Sequence, residues 1–297
     1  MQGLVYILVY PIIWCLSKLP FWVLYRISDV LFFFVYHIFG YRRKVVRDNL
    51  ALVFPEKSVN ERKAISKEFY VHLCDMVVEA IKSLSISKQE MLKRFKVTNV
   101  ETVLALEKEG RSIMMFMGHY ASWEWSVILQ HYVNHKGYAV YKKIENPYFD
   151  RLVKKIRARY GSELINTKET VHRLGAALKN NELLLTAFSA DQTAKHWKAK
   201  HFNEFMGIKV PVLTGGEMMA KKFNLAVIYL DIRKVKRGHY SAEIRLITKN
   251  PNEFPDFEIT DQFLTMVENQ IKAEPAYYLW THKRWKYRNE VQQYENR

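Results

Sequence analysis

The first forty residues are almost continuously apolar, and the few polar interruptions decide what they can form. Residues 2–17 carry no charge, 19–25 lie between Lys18 and Arg26, and 30–41 run uncharged again through Leu31, Phe32, Phe33 and Phe34. A bilayer-crossing helix needs about 20 apolar residues. The breaks at Lys18, Pro20, Arg26 and Asp29 therefore predict a hydrophobic membrane anchor or hairpin over 1–41 in preference to a clean crossing; a tilted single span and a buried hairpin of a soluble protein are the other readings. Trp14, Trp22, Tyr25 and Tyr36 suit a headgroup belt. A basic leader and a small-residue cleavage site are both lacking, so a removable signal peptide is not expected. Arg42, Arg43, Lys44 and Arg47 follow directly, which places the remaining chain on the cytoplasmic side.

From 41 to 109 the apolar positions recur at helical spacing. Ser58 with Glu61 and Ser87 with Glu90 have the spacing of a capping box, and Gly110 stands where a left-handed residue closes a helix. After it the period changes. Residues 112–117, 138–142, 163–166, 183–189, 225–232 and 240–248 read as strands, several of them unbroken apolar runs. Helical stretches near 122–134, 147–160, 168–180 and 213–223 separate most of these, and a last helix is expected near 260–273. Alternation of this kind predicts one α/β domain over 42–297, with a mixed, mostly parallel sheet flanked by helices.

Charge narrows the partners. The 297 residues hold 46 Lys and Arg against 30 Asp and Glu, a balance of +16 with histidine neutral, and attraction to an anionic surface follows. Cys15 and Cys74 are the two cysteines, too few for a disulfide scaffold or a Cys-x-x-Cys zinc site. Basic clusters at 195–201, 233–237 and 283–288, the first and last interleaved with aromatic residues, suit a headgroup surface, an acidic protein or single-stranded nucleic acid. The apolar amino terminus favours the anionic membrane, and nucleic acid is not the expected partner. Glycine-rich phosphate loops, a Gly-x-Ser-x-Gly elbow and a His-Glu-x-x-His motif are all lacking.

The candidate chemistry begins directly after the apolar strand at 112–117. His119 there precedes Glu124 by five positions, with Ser122 placed to cap a helix. Catalytic groups gather at carboxyl ends of strands in open α/β sheets. Glu124, ionised near helix amides, is expected to bond one ring nitrogen of His119 and leave the other free to take a proton; the competing reading is a capping glutamate beside an ordinary loop histidine. Downstream, Asn146 caps a helix with Pro147 in its first turn and Gly161 at its end. Arg151, Lys155 and Arg159 recur at four-residue spacing on that helix, as a phosphate-binding row or as a plain solvated face. Asp191 follows the strongest apolar strand, as a functional strand-end carboxylate or as a turn residue.

Taken together, five stretches resemble the lipid A biosynthesis (Kdo-dependent late) acyltransferase family. They are Val46-Arg47-Asp48-Asn49-Leu50 through Glu56, His119 to Glu124, Glu145-Asn146-Pro147 through Arg159, the strand end at Asp191-Gln192, and Tyr278-Leu279-Trp280-Thr281-His282-Lys283-Arg284-Trp285. The resemblance implies a glycerol-phosphate-acyltransferase-like α/β fold and an inner-membrane enzyme facing the cytoplasm. Its reaction would move a fatty acyl chain from acyl carrier protein to a hydroxyl of a lipid A precursor, with no other cofactor and no metal. It also implies His119 as general base with Glu124 as its carboxylate, and places Arg157 and Arg159 on the family's arginine pair and Asp191 on its strand-end aspartate; with Asn146 and Arg151 of the same helix these are the expected substrate-binding residues. The chain departs from the family's usual pattern at Gly118 and Tyr120 beside the histidine and at Ala190 before the aspartate. The alternatives are acylation of a lysophospholipid or aminolipid, and a non-catalytic basic membrane-surface or nucleic-acid-binding protein.

Overall fold

A computed structural model describes residues 2–141 and 143–291. Lys142, expected to end a strand, and the last six positions of the expected domain lie outside the described residues. Helix α1 (Gln2–Lys18) runs through Pro11 without a break. Helix α2 (Phe21–Phe32) continues as a wider π turn, Phe33–Ile38. The two pieces make one 18-residue stretch, Phe21–Ile38, long and apolar enough to cross a membrane, where the polar breaks predicted shorter segments. The reason is local pairing of the interrupting charges. Arg26 lies 3.9 Å from Asp29, whose other oxygen accepts from Arg237 at 2.6 Å. The outward sides are apolar and uncovered, Trp22 being 72% and Phe39 75% exposed, as a lipid-facing surface requires.

Helices α3 (Arg43–Val53), α4 (Val59–Lys82), α5 (Lys88–Arg94) and α6 (Val100–Lys108) occupy the region read as helical, with a short strand β1 (Phe95–Thr98) that its four residues did not reveal. Ser58 and Glu61 form the complete capping box. At Ser87 only half of it exists, because the Glu90 side chain turns to Arg94 at 2.6 Å. Gly110 is left-handed, φ +68°. Strands β2 (Ile113–Met117), β3 (Lys136–Tyr141), β4 (Glu163–Asn166), β5 (Leu184–Ser189), β8 (Ala226–Lys236) and β9 (His239–Thr248) build the sheet. Helices α7 (Pro147–Arg157), α8 (Thr170–Lys179), α9 (Gly215–Phe223) and α10 (Glu258–Ala273) flank it, and a small antiparallel hairpin, β6 (Phe202–Phe205) with β7 (Ile208–Pro211), stands apart. The expected helix at 122–134 is instead a 3₁₀ segment, Trp123–His131, and Ser122 makes no capping bond.

Strand order is β1-β9-β8-β2-β5-β3-β4, and β8 with β9 is the antiparallel pair of an otherwise parallel sheet. The mixed, mostly parallel sheet flanked by helices is therefore the fold of this chain. Its two faces can be told apart along β8, whose side chains alternate. Tyr229 and Asp231 bond Gln270 of α10. Lys234 points the other way, 3.9 Å from Asp75 of α4. Helix α10 thus covers one face and α4 the other, with α1 and α2 packed outside α4.

Behind the sheet, Glu79 of α4 is 1% exposed and accepts from the Tyr240 hydroxyl at 2.9 Å and from Tyr25 at 3.0 Å. Burial, reinforced by the Asp75 charge, pushes its carboxyl up to about 7 despite those bonds. The folded state therefore takes up a proton that the unfolded chain, with an ordinary carboxyl, releases. Stability from this group is complete below about pH 4.5 and declines as pH rises towards 7. Glu79→Gln should abolish the decline. Thermal unfolding in detergent at pH 5 and pH 8 should show the variant gaining on the wild type by up to about 3 kcal/mol at the higher pH; parallel pH dependences would refute the assignment.

Candidate active site

Strand β2 is buried along its whole length and ends at Gly118 and His119, facing the end of β5. Parallel register pairs Met117 with Ser189, so the residues two further on, His119 and Asp191, emerge side by side. Gly118 serves this close packing: a Cβ there would sit 3.3 Å from Val267 of α10. The turn after the histidine is held from outside. Leu279 N–H donates to the His119 carbonyl at 3.2 Å, Ala121 N–H donates to the Tyr277 carbonyl at 2.9 Å, and Ala121 takes a left-handed φ of +50°. That conformation is costly for a residue with a Cβ, and these bonds fix it.

Asp191 is fully buried, and both its oxygens point at His119. One lies 2.6 Å from Nδ1; the other accepts from the His119 backbone N–H at 3.0 Å. An ionised carboxylate only accepts, so Nδ1 carries the proton and Nε2 keeps its lone pair. Burial works against the imidazolium, yet the Asp191 charge and hydrogen bond outweigh it and raise His119 above its ordinary value. The Asp191 carboxyl would likewise be raised by burial, but the histidine's charge and bonds hold it below the usual carboxylate range. The ring remains 18% exposed and meets Trp123 edge to face at 5.3 Å.

This geometry corrects the expected partner of the imidazole. Glu124 does not bond the ring. It lies in the first turn of the 3₁₀ segment facing the end of α7, and there Arg157 claims both of its oxygens, Nε at 2.7 Å and Nη2 in a shorter contact. The planar guanidinium fork matches a carboxylate bidentately, which explains why Glu124 turns away from His119 while still adding negative charge near it.

The remaining expected residues divide. Arg157 joins the site through Glu124. Asn146 caps α7, accepting from the Tyr148 and Phe149 amides at 3.0 and 3.4 Å. Arg159 donates to the Ser83 carbonyl at 2.9 Å, so the expected row of cations is broken at its last member. Arg151 is exposed on α7, its guanidinium 5.9 Å from the Tyr148 ring. That ring stacks on Tyr6 of α1. Asn146, Arg151 and Arg159 are thus not brought to the histidine.

Several neighbours were not expected. Trp123 borders both His119 and a largely apolar cleft of about 330 Å³ shared with Leu73, Met76 and Val77 of α4, Leu279 and Glu124. Burial lowers His282 to about 4, and its Nε2 accepts from the Thr193 backbone N–H at 3.1 Å. This bond ties the loop after Asp191 to the chain's final segment. Residues 278–285 were recognisable as a block, but no spacing rule announces that they clamp the turns at both strand ends.

The sequence profile described as "Bacterial lipid A biosynthesis acyltransferase" matches residues 2–287. The lipid A biosynthesis lauroyltransferase of Escherichia coli K12 is 24% identical over 280 residues, 94% of this chain and 90% of that protein. The lipid A biosynthesis palmitoleoyltransferase of the same organism is 23% identical over 279 residues, 93% and 89% of the two chains. A lipid A biosynthesis acyltransferase of Haemophilus influenzae is 24% identical over 254 residues, covering 83% and 78%. With nearly its whole length matched by the profile, the chain belongs to the bacterial lipid A biosynthesis acyltransferase family.

Proposed function

We propose that the protein moves a fatty acyl chain from the thioester of an acyl carrier protein to a hydroxyl of a lipid A precursor, at the cytoplasmic face of the inner membrane. One observation carries this reading: a strand-end imidazole whose Nδ1 is bonded to a buried carboxylate and whose ring meets Trp123, a residue lining an apolar cleft. Nε2 takes the proton of the acceptor hydroxyl as its oxygen attacks the thioester carbonyl. The carbon–sulfur bond then breaks, and the leaving thiolate is protonated from the imidazolium. Asp191 holds the tautomer and stabilises the imidazolium. The acyl chain lies in the cleft against Leu73, Met76, Val77 and Trp123, where burial of each methylene contributes about 0.8 kcal/mol. Arg157, positioned by Glu124, supplies positive charge near the developing oxyanion. The run of Arg42, Arg43, Lys44 and Arg47 just after the apolar helices supports the cytoplasmic placement.

The test is product analysis. Membranes containing the protein, given isotope-labelled acyl carrier protein and a panel of lipid acceptors, should yield a lipid A precursor heavier by one acyl chain. Acylation of a lysophospholipid or aminolipid alone would replace the acceptor in this reading, and no acylated product from any acceptor would end it.

A further inference from the structure

The loop after Asp191 and the chain's final segment meet in a basic, aromatic surface that the reaction as described does not use. Lys195, Lys198, Lys200, Lys283, Lys286 and Arg288 are all exposed, and Trp197 among them is 54% exposed. Among the described residues of these two stretches Glu290 is the one carboxylate, and it lies 3.1 Å from His196. The two stretches are locked together. The Thr193 hydroxyl lies 3.0 and 2.8 Å from the Lys283 and Arg284 carbonyls, and His196 meets Tyr287 edge to face at 4.4 Å. Beneath them, Trp285 is buried and donates to the Phe205 carbonyl at 3.1 Å. The charges therefore stand on a fixed platform, so little side-chain and loop ordering remains to oppose binding.

We propose that this surface is the docking face for an acidic carrier protein that presents the acyl thioester, a claim resting on the reading that the donor travels on such a protein. Position and charge together point to this occupant. The exposed apolar helices α1 and α2 lie on the α4 side of the sheet. The basic platform reaches the other side through Phe205 and through Met206, whose N–H donates to Glu268 of α10 at 2.6 Å, while its base is also held by α3, where Asn49 donates to the Trp280 and His282 carbonyls. Between the two sides lies His119, reached by the same segment through Leu279. A lipid acceptor arrives from the bilayer side, and a water-soluble donor has the other approach, where six exposed cations face it. Complementary charge steers an acidic partner and fixes its orientation, and the exposed Trp197 beside Lys195 is the residue type that anchors protein interfaces.

The test uses the full-length protein in detergent, a fluorescent unacylated carrier protein, and the double reversals Lys195→Glu/Lys198→Glu and Lys283→Glu/Lys286→Glu. Each should weaken carrier binding at low salt by at least about tenfold, flatten its salt dependence, and lower kcat/KM for acyl-carrier donor in proportion. The equally charged control Lys96→Glu/Lys179→Glu, at exposed positions elsewhere, should leave both unchanged. Unaltered carrier binding in the reversals, or an equal loss in the control, would overturn the docking face. Loss of binding to phosphatidylglycerol vesicles with carrier affinity retained would hand the surface to the membrane. Wild-type protein that consumes acyl-coenzyme A yet neither binds nor consumes acyl-carrier would instead remove the donor reading itself.

Discussion

His119→Ala is expected to lower acyl transfer by about 10² to 10⁴-fold, the usual contribution of a positioned general base. The ring lies against Trp123, which lines the apolar cleft, and the nearby carboxylates are committed, Asp191 to the ring and Glu124 to Arg157. Alanine also removes the ring's bond to one oxygen of the fully buried Asp191, and a buried acceptor left unsatisfied destabilises. His119→Gln separates the two effects, because an amide can still donate to Asp191 but cannot act as a base near neutral pH. Both variants should lose transfer to a similar degree while staying membrane-bound, with the glutamine variant closer to wild type in thermal unfolding. Near-wild-type turnover in the glutamine variant would take His119 out of the mechanism. The pH profile gives a second check. The reaction needs neutral imidazole, and His119 is raised by Asp191, so kcat/KM should climb with pH through a midpoint above the ordinary histidine value of about 6.5.

The sheet and the strand-end position of His119 were legible in the sequence, while the partner of its ring was not. The apolar run 113–117, short and followed by a glycine, reads as a strand buried on both faces, and a histidine after such a run stands at a strand's carboxyl end. The pairing of 119 with 191 depends on which strands are neighbours. Once β2 is known to pair with β5 in the register Met117 with Ser189, the two side chains must meet, yet 72 residues separate them and no local rule supplies that register. Five-residue spacing favoured Glu124 by proximity in the chain, and Arg157, contributed by α7, was the competitor that spacing could not weigh. The span Phe21–Ile38 was hidden for a similar reason. Asp29 reads as a charge in a membrane segment until Arg237, from the turn between β8 and β9, is seen beside it.

Asp191→Asn should be nearly as damaging as loss of the imidazole, on the order of 10⁴-fold where the same exchange is made behind a catalytic histidine on an unrelated fold. Two properties of Asp191 carry the expectation. It is an acceptor on both oxygens, and the one facing Nδ1 therefore fixes the proton there; an asparagine whose amide nitrogen faces the ring donates to Nδ1, forces the proton onto Nε2 and removes the base. It is also the charge that opposes desolvation of the imidazolium. Without it, burial prevails and the histidine falls below its ordinary value, so residual activity should show its acid limb displaced to lower pH. Glu124→Gln distinguishes the two carboxylates. Its first effect is to release Arg157, so its loss should be shared with Arg157→Gln, the double variant being little worse than either single one, whereas Asp191→Asn and Arg157→Gln should compound. Coupling of Asp191, and not Glu124, to Arg157 in that cycle would return Glu124 to the histidine and make the observed pairing an inactive arrangement.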